Sequence, residues 1–138
     1  MKTGLIIGSV VIALLIGSTW LSGSLQESNP DILARNGLHW HPLLAIYVKG
    51  EKVEISQGIG LGAVHRPVHT HEDLPIIHLE FSGIVRREDV TLGEFFKSWE
   101  RDMRSFGTNM QMTVNGKENT EYEKYVMHDG DNIELRYD

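Results

Sequence analysis

From Thr3 to Gln26 the chain carries no charged side chain, and Leu5–Ile7 and Val10–Ile16 are strongly apolar. Nothing else in the sequence constrains the fold as much, because about 20 such residues suffice for a helix to cross the hydrocarbon core. Lys2 precedes the run and Glu27 and Asp31 follow it, so the positive flank is expected to stay inside and the remainder outside. Trp20 stands where an interfacial aromatic belongs. A cleaved signal peptide is the alternative, with Leu5 to Ile16 as its apolar centre and Ser22-Gly23-Ser24 offering small residues for cleavage. Residues 1–25 therefore read as a membrane anchor (N-in, C-out) or as a secretion signal, and either places the rest outside the cytoplasm.

Once residues 1–25 of the 138 are set aside, about 110 remain, enough for one core without disulfides. With 41% hydrophobic and 23% charged residues, folding is the expectation. A net charge of −6 argues against a nucleic-acid partner, which would select a basic face. The absence of cysteine excludes thiolate ligands and thiol redox chemistry.

Residues 26–37 are polar, contain Asn29-Pro30, and read as a linker to a domain at 38–138. Leu43–Val48 and Lys52–Ile55 flank Lys49-Gly50 as a hairpin. The glycine-rich stretch 57–62 has no helix pattern after it, so it reads as a loop and not as a phosphate cradle. Ile76–Phe81 alternates as a strand, with Ile77, Leu79 and Phe81 on one face and His78 and Glu80 on the other. Thr91 and Glu94 have capping-box spacing. Leu92, Phe95, Phe96, Trp99 and Met103 follow as an apolar helical stripe, with Gly107 beyond its end. Met110–Val114 runs into an Asn115-Gly116 turn, and Ile133–Tyr137 forms a last strand after Asp129-Gly130. One helix packed on one face of a mixed sheet gives an α+β domain, β-grasp-like in its order of elements. The ending is similar to that of small sulfur-carrier members of the fold, whose Gly-Gly chemistry has no counterpart in this sequence.

Six of the seven histidines lie between residues 39 and 78. His39-Trp40-His41 and His69-Thr70-His71 are two His-x-His pairs, and extended backbone points positions i and i+2 to the same side. Each pair can thus offer two imidazoles to one zinc or copper ion, and Glu72, Asp73 or Glu80 can complete a shell. If Leu44 and Ile46 face the helix, then Trp40 does too, and His39 and His41 face away with His78 and Glu80. Apolar Leu43, Ala45 and Tyr47 leave the inward face of that strand open. Convergence of both pairs with His78 requires the loop at 65–75 to fold back over the strand bearing His41. The metal set read here is His41, His69, His71 and His78, with His39 and Glu80 as additional ligands or supporting groups. His65 is intermediate, and His128 beside Asp129 reads as a surface residue. Met103, Met110 and Met112 fall on core positions and so are packing groups. A cupin would need an acid near residue 75 or 76, where Pro75 and Ile76 stand.

The segments His69-Thr70-His71-Glu72, Ile76-Ile77-His78-Leu79-Glu80, Thr91-Leu92-Gly93-Glu94-Phe95-Phe96 and Val114-Asn115-Gly116-Lys117 resemble a largely uncharacterised family. Its members are exported His-rich domains of bacteria and archaea, sometimes fused to thiol-redox or membrane modules. The resemblance covers about residues 38–138 and implies a fold and a site, with no established reaction. Members usually carry Asp after His-Thr-His and Gly three positions later, where this chain has Glu72 and Pro75. The function expected is capture, buffering or delivery of copper or zinc outside the cytoplasm, with the membrane and a metal-transfer or membrane protein as partners. A three-histidine metalloenzyme using Glu72 or Glu80 as base is one alternative. An accessory subunit of a membrane complex with structural histidines is another.

Overall fold

The computed structural model describes residues 7, 8, 10–19 and 29–138, and the chain divides into two units, Met1–Pro30 and Asp31–Asp138. Residues 10–19 of the first unit are helical. The anchor or signal expected over 1–25 lies largely outside the described residues. Among the described residues, no helix is long and apolar enough to cross a membrane.

The second unit is α+β and contains mixed sheets. Its strands are β1 (Ile32–Ala34), β2 (Leu38–Trp40), β3 (Leu43–Val48), β4 (Glu51–Val53), β5 (Val68–His69), β6 (His78–Phe81), β7 (Val85–Arg86), β8 (Gln111–Val114), β9 (Lys117–Glu118) and β10 (Asn132–Tyr137). Five of them form the main sheet in the order β4-β3-β10-β8-β9. At its centre β3 runs parallel to β10, pairing Leu44 with Ile133 and Ile46 with Leu135. All four side chains are fully buried. The inward face of β3, open in the sequence, is therefore the one carrying Leu44 and Ile46. On the other face Tyr47 is covered by the Arg136 guanidinium, 4.6 Å from the ring centroid.

Turn chemistry sets the hairpins. Lys49 and Gly50 both take positive φ (51° and 84°) between β3 and β4, and Asn115 and Gly116 do the same (52° and 76°) between β8 and β9. Positive φ at both central residues is the two-residue turn that matches strand twist. At the entry to β10, Asp131 accepts hydrogen bonds from the Tyr125 hydroxyl (2.6 Å), the Asn115 amide (2.9 Å) and the His128 N–H (2.8 Å). Burial pushes the Asp131 carboxyl up, but these donors outweigh it and hold the group below the usual range.

The domain helix spans Leu92–Ser98 and buries Leu92, Phe95 and Phe96. It is shorter than the stripe suggests. The N–H of Arg101 returns to the Phe96 carbonyl and that of Glu100 to Lys97, while Glu100 takes φ 56°. This is a Schellman ending with Glu where glycine is usual. Met103 is buried as expected, but it belongs to a separate 3-10 turn, Met103–Phe106, whose N-terminus is capped by the Asp102 carboxylate. The capping box does not form either. The Thr91 hydroxyl donates to the Glu88 carbonyl and the Glu94 carboxylate pairs with Lys97. Trp99 is only half-buried, against Phe95, Phe96 and Phe106.

Two smaller sheets complete the domain. β1 pairs with β7, so the stretch 26–37 read as linker contains a strand, and its Leu33 and Ala34 pack on the core. β2, β6 and β5 form a three-stranded sheet in that order. The strand carrying His78 therefore lies in a different sheet from β3. A bridge between Leu43 and Ile76 and a bond from the Ile77 N–H to the Pro42 carbonyl (2.8 Å) tie the two sheets together.

Phe95, with no exposed surface, should lose about 3–5 kcal/mol of stability on truncation to alanine, the range for a fully buried ring. Trp99→Ala should cost distinctly less. Urea unfolding followed by circular dichroism measures both, and an equal or reversed order would contradict this placement of the helix.

Candidate metal centre

The histidine face is built by alternation along three short strands. In the β2-β6-β5 sheet, Leu38 pairs with Phe81, Trp40 with Leu79, and Val68 with Leu79. Those side chains all belong to the core or pack against it. The intervening pairs are His39 with Glu80 and His69 with His78. A two-residue period puts every one of these on the opposite face. The sequence placed His39, His41, His78 and Glu80 on one face, and this sheet carries His39, His78 and Glu80, with His41 just past the end of β2.

The loop that holds His69 and His71 pairs with the far edge of β6 and does not fold over the strand bearing His41. What fixes it is Thr70, which is fully buried. Its hydroxyl donates to the Ser56 carbonyl (2.9 Å) and accepts from the Ile59 N–H (3.1 Å). The glycine-rich stretch is thus the backing of the second His-x-His pair. At Gly60, φ is +76° and a Cβ would stand 2.6 Å from the Val68 carbonyl oxygen. A side chain there would push β5 out of place.

Two overlapping groups result. His69, His71, His78 and Glu80 each offer a ligand atom, all within 4.8 Å of one another, and His39, His41 and His78 do the same. His41 stands with His39, its ring 4.6 Å from that of His39 and 5.0 Å from that of His78. His65 lies beside His69 at 4.8 Å between ring centroids. His128 stacks on Trp40 at 5.6 Å and takes no part in either group.

The nitrogens left free follow from the hydrogen bonds. His69 Nδ1–H donates to the Arg66 carbonyl (3.0 Å), which leaves Nε2 as a bare lone pair. It faces His71 Nε2 at 3.1 Å. Two nitrogens bound about 2.0–2.1 Å from one tetrahedral ion lie about 3.3 Å apart, so a single proton here occupies the place of an ion. His78 Nε2–H donates to the Asp73 carboxylate (3.0 and 3.1 Å). Its Nδ1 is buried with no hydrogen-bond partner and lies 3.7 Å from Glu80 Oε1. A buried orphaned lone pair costs about 1–3 kcal/mol unless something fills it. Both inner rings are therefore held by a hydrogen bond at one nitrogen, which is how proteins orient imidazole ligands. The other nitrogen accepts from His71 in His69 and has no partner in His78. Asp73 was legible only as one of several nearby acids. Its place under His78 depends on the loop at 71–76, which has no periodic pattern to read.

Burial lowers the His69 pKa. The Arg66 carbonyl and Glu80 act the other way, and nearby His71 and His65 add to the lowering. The hydrogen bond from His78 holds Asp73 below the usual carboxylate range. His69 thus stays neutral, as a ligand must, to a lower pH than an ordinary histidine.

No family model matches the chain, and neither does any curated protein or solved structure.

The His69 shift has a consequence for the metal-free protein. Unfolded histidine titrates near about 6.5, so above that pH the folded state loses nothing, and below it the unfolded chain takes up the proton first. Stability should decline as pH falls from about 6.5 toward the lower folded value. Denaturation at a series of pH values should show this slope weakened in His69→Gln, and identical slopes in the two proteins would contradict the assignment.

Proposed function

We propose that the chain is an extracytoplasmic metal-binding module that captures copper or zinc at the inner group of His69, His71, His78 and Glu80. The observation that carries this reading is the buried Nδ1 of His78. It has no partner and lies 3.7 Å from Glu80 Oε1, in a residue grouped with His69, His71 and Glu80. Three imidazoles and a carboxylate suit a zinc or cupric ion, and a cysteine-free chain offers no thiolate. The rings are already positioned by Arg66 and Asp73, so the fold does not wait for the ion. His39, His41 and His71 line the rim. An open rim favours uptake and release over catalysis, which calls for a site closed to water.

The export reading rests on the uncharged run behind Lys2, part of which is helical at 10–19. The order of the main sheet, with a parallel central pair flanked by two hairpin arms, supports a β-grasp-like domain. Such a domain agrees with the resemblance to exported His-rich domains. Capture at a membrane surface implies a partner that supplies or receives the ion.

Calorimetric titration with Zn(II) and Cu(II) tests the site. The wild type should bind tightly, and binding should weaken as the pH is lowered, because protons compete for imidazole. His69→Ala combined with His78→Ala should abolish binding, and His128→Ala should leave it intact. Equal affinity in the double variant and the wild type would overturn the site. For topology, protease added to spheroplasts should digest the chain beyond about residue 30, and full protection would refute export.

A further inference from the structure

The two histidine groups share a ligand, and this limits how an ion can use them. Nε2 of His78 is held by Asp73, so His78 has one lone pair to give, at Nδ1. Both groups draw on His78, and one lone pair binds one ion. Glu80 has an oxygen for each side: Oε1 lies 3.1 Å from His39 Nε2 and Oε2 lies 3.9 Å from His69 Nε2. Exposure falls from the outer pair to His78 and His69, while His71 on the inner side is exposed again. The side chains of His39 and His41 are 63% and 40% exposed, that of His78 is 10%, and that of His69 is 1%.

Building on the metal reading above, we propose that His39 and His41 form a separate outer position, which takes an ion from solvent and passes it inward. Outer and inner positions are filled one at a time, with His78 as the ligand common to both and Glu80, beside His39, reaching the inner one. In the transfer, the bonds from the ion to His39 and His41 break and bonds to His69 Nε2 and His71 Nε2 form. His71 gives up its Nε2 proton and takes one at Nδ1 through solvent, so it binds as neutral imidazole, and the ion keeps its oxidation state. Because His78 holds throughout, the ion is never free, which avoids the barrier of complete dissociation. His41 is placed for this by its own backbone, whose N–H donates to the Asp129 carboxylate at 2.8 Å. The outer pair is not needed to hold the ion at rest. It governs how fast the ion arrives and leaves.

Stopped-flow mixing of the full chain with Zn(II), read by a competing fluorescent zinc indicator, tests this alongside calorimetry. Wild type should bind one equivalent. His39→Ala combined with His41→Ala should slow binding and release in step, each by about tenfold, with little change in their ratio, the dissociation constant. Unaltered circular dichroism would show that the variant folds. His69→Ala should do the reverse, retaining rapid but weak binding at the outer pair. Two tightly bound equivalents in wild type would overturn the relay in favour of a dinuclear centre. Unchanged rates in the outer variant would also overturn it and move entry to the His71 rim. Loss of affinity as severe as in His69→Ala would overturn it by merging the two positions into one. Each of these outcomes leaves the metal reading standing, whereas failure of wild type to take up zinc at all would remove both.

Discussion

The histidine face depends on the register of β6 with its two neighbours. Leu79 is buried between Trp40 and Val68 on the core side, and that packing fixes which residues of all three strands point outward. A slip of one residue in any strand would turn its apolar side chains to solvent and its histidines into the core. The hydrophobic effect therefore sets the geometry of the polar site, and no metal is needed to gather the ligands. The glycine-rich loop and Thr70 hold the β5 edge against this sheet, and Pro42 joins it to the main sheet through the Ile77 N–H.

A site assembled in this way is preorganised and slightly unsatisfied. Four imidazoles, those of His41, His69, His71 and His78, stand in a chain of ring contacts at 4.7–5.5 Å. Carboxylates at Asp73, Asp129 and Glu80 border them. Burying His78 Nδ1 without a donor works against stability, and the surrounding core outweighs that cost. Retaining such a lone pair makes physical sense where a ligand fills it, and mass action would then add binding energy to folding energy.

Much of this was legible in the sequence, because alternation and turn chemistry are local. The β3–β4 and β8–β9 turns, the helix at Leu92, and the outward parity of His39, His41, His78 and Glu80 all follow from patterns within a few residues. What was not legible depends on contacts distant in sequence. β5 and β7 have two residues each, too few to show a period, and β1 is strand only because β7 lies beside it. The helix ends at a left-handed Glu100, which no glycine announces. Thr91 and Glu94 had the right spacing for a capping box, but other partners took their side chains. The separation of the histidine sheet from the main sheet rests on Pro42 and the loop at 71–76, where no pattern distinguishes one continuous sheet from two.

The central claim is that imidazole nitrogens of one sheet face hold a single ion. X-ray absorption on the full chain loaded with one equivalent of Zn(II) tests it most directly. The account predicts a first shell with imidazole nitrogens and a carboxylate oxygen at about 2.0–2.2 Å, with the outer-shell scattering of about three histidine rings. A shell of oxygens without imidazole scattering, unchanged when His69 and His78 are replaced by alanine, would contradict it.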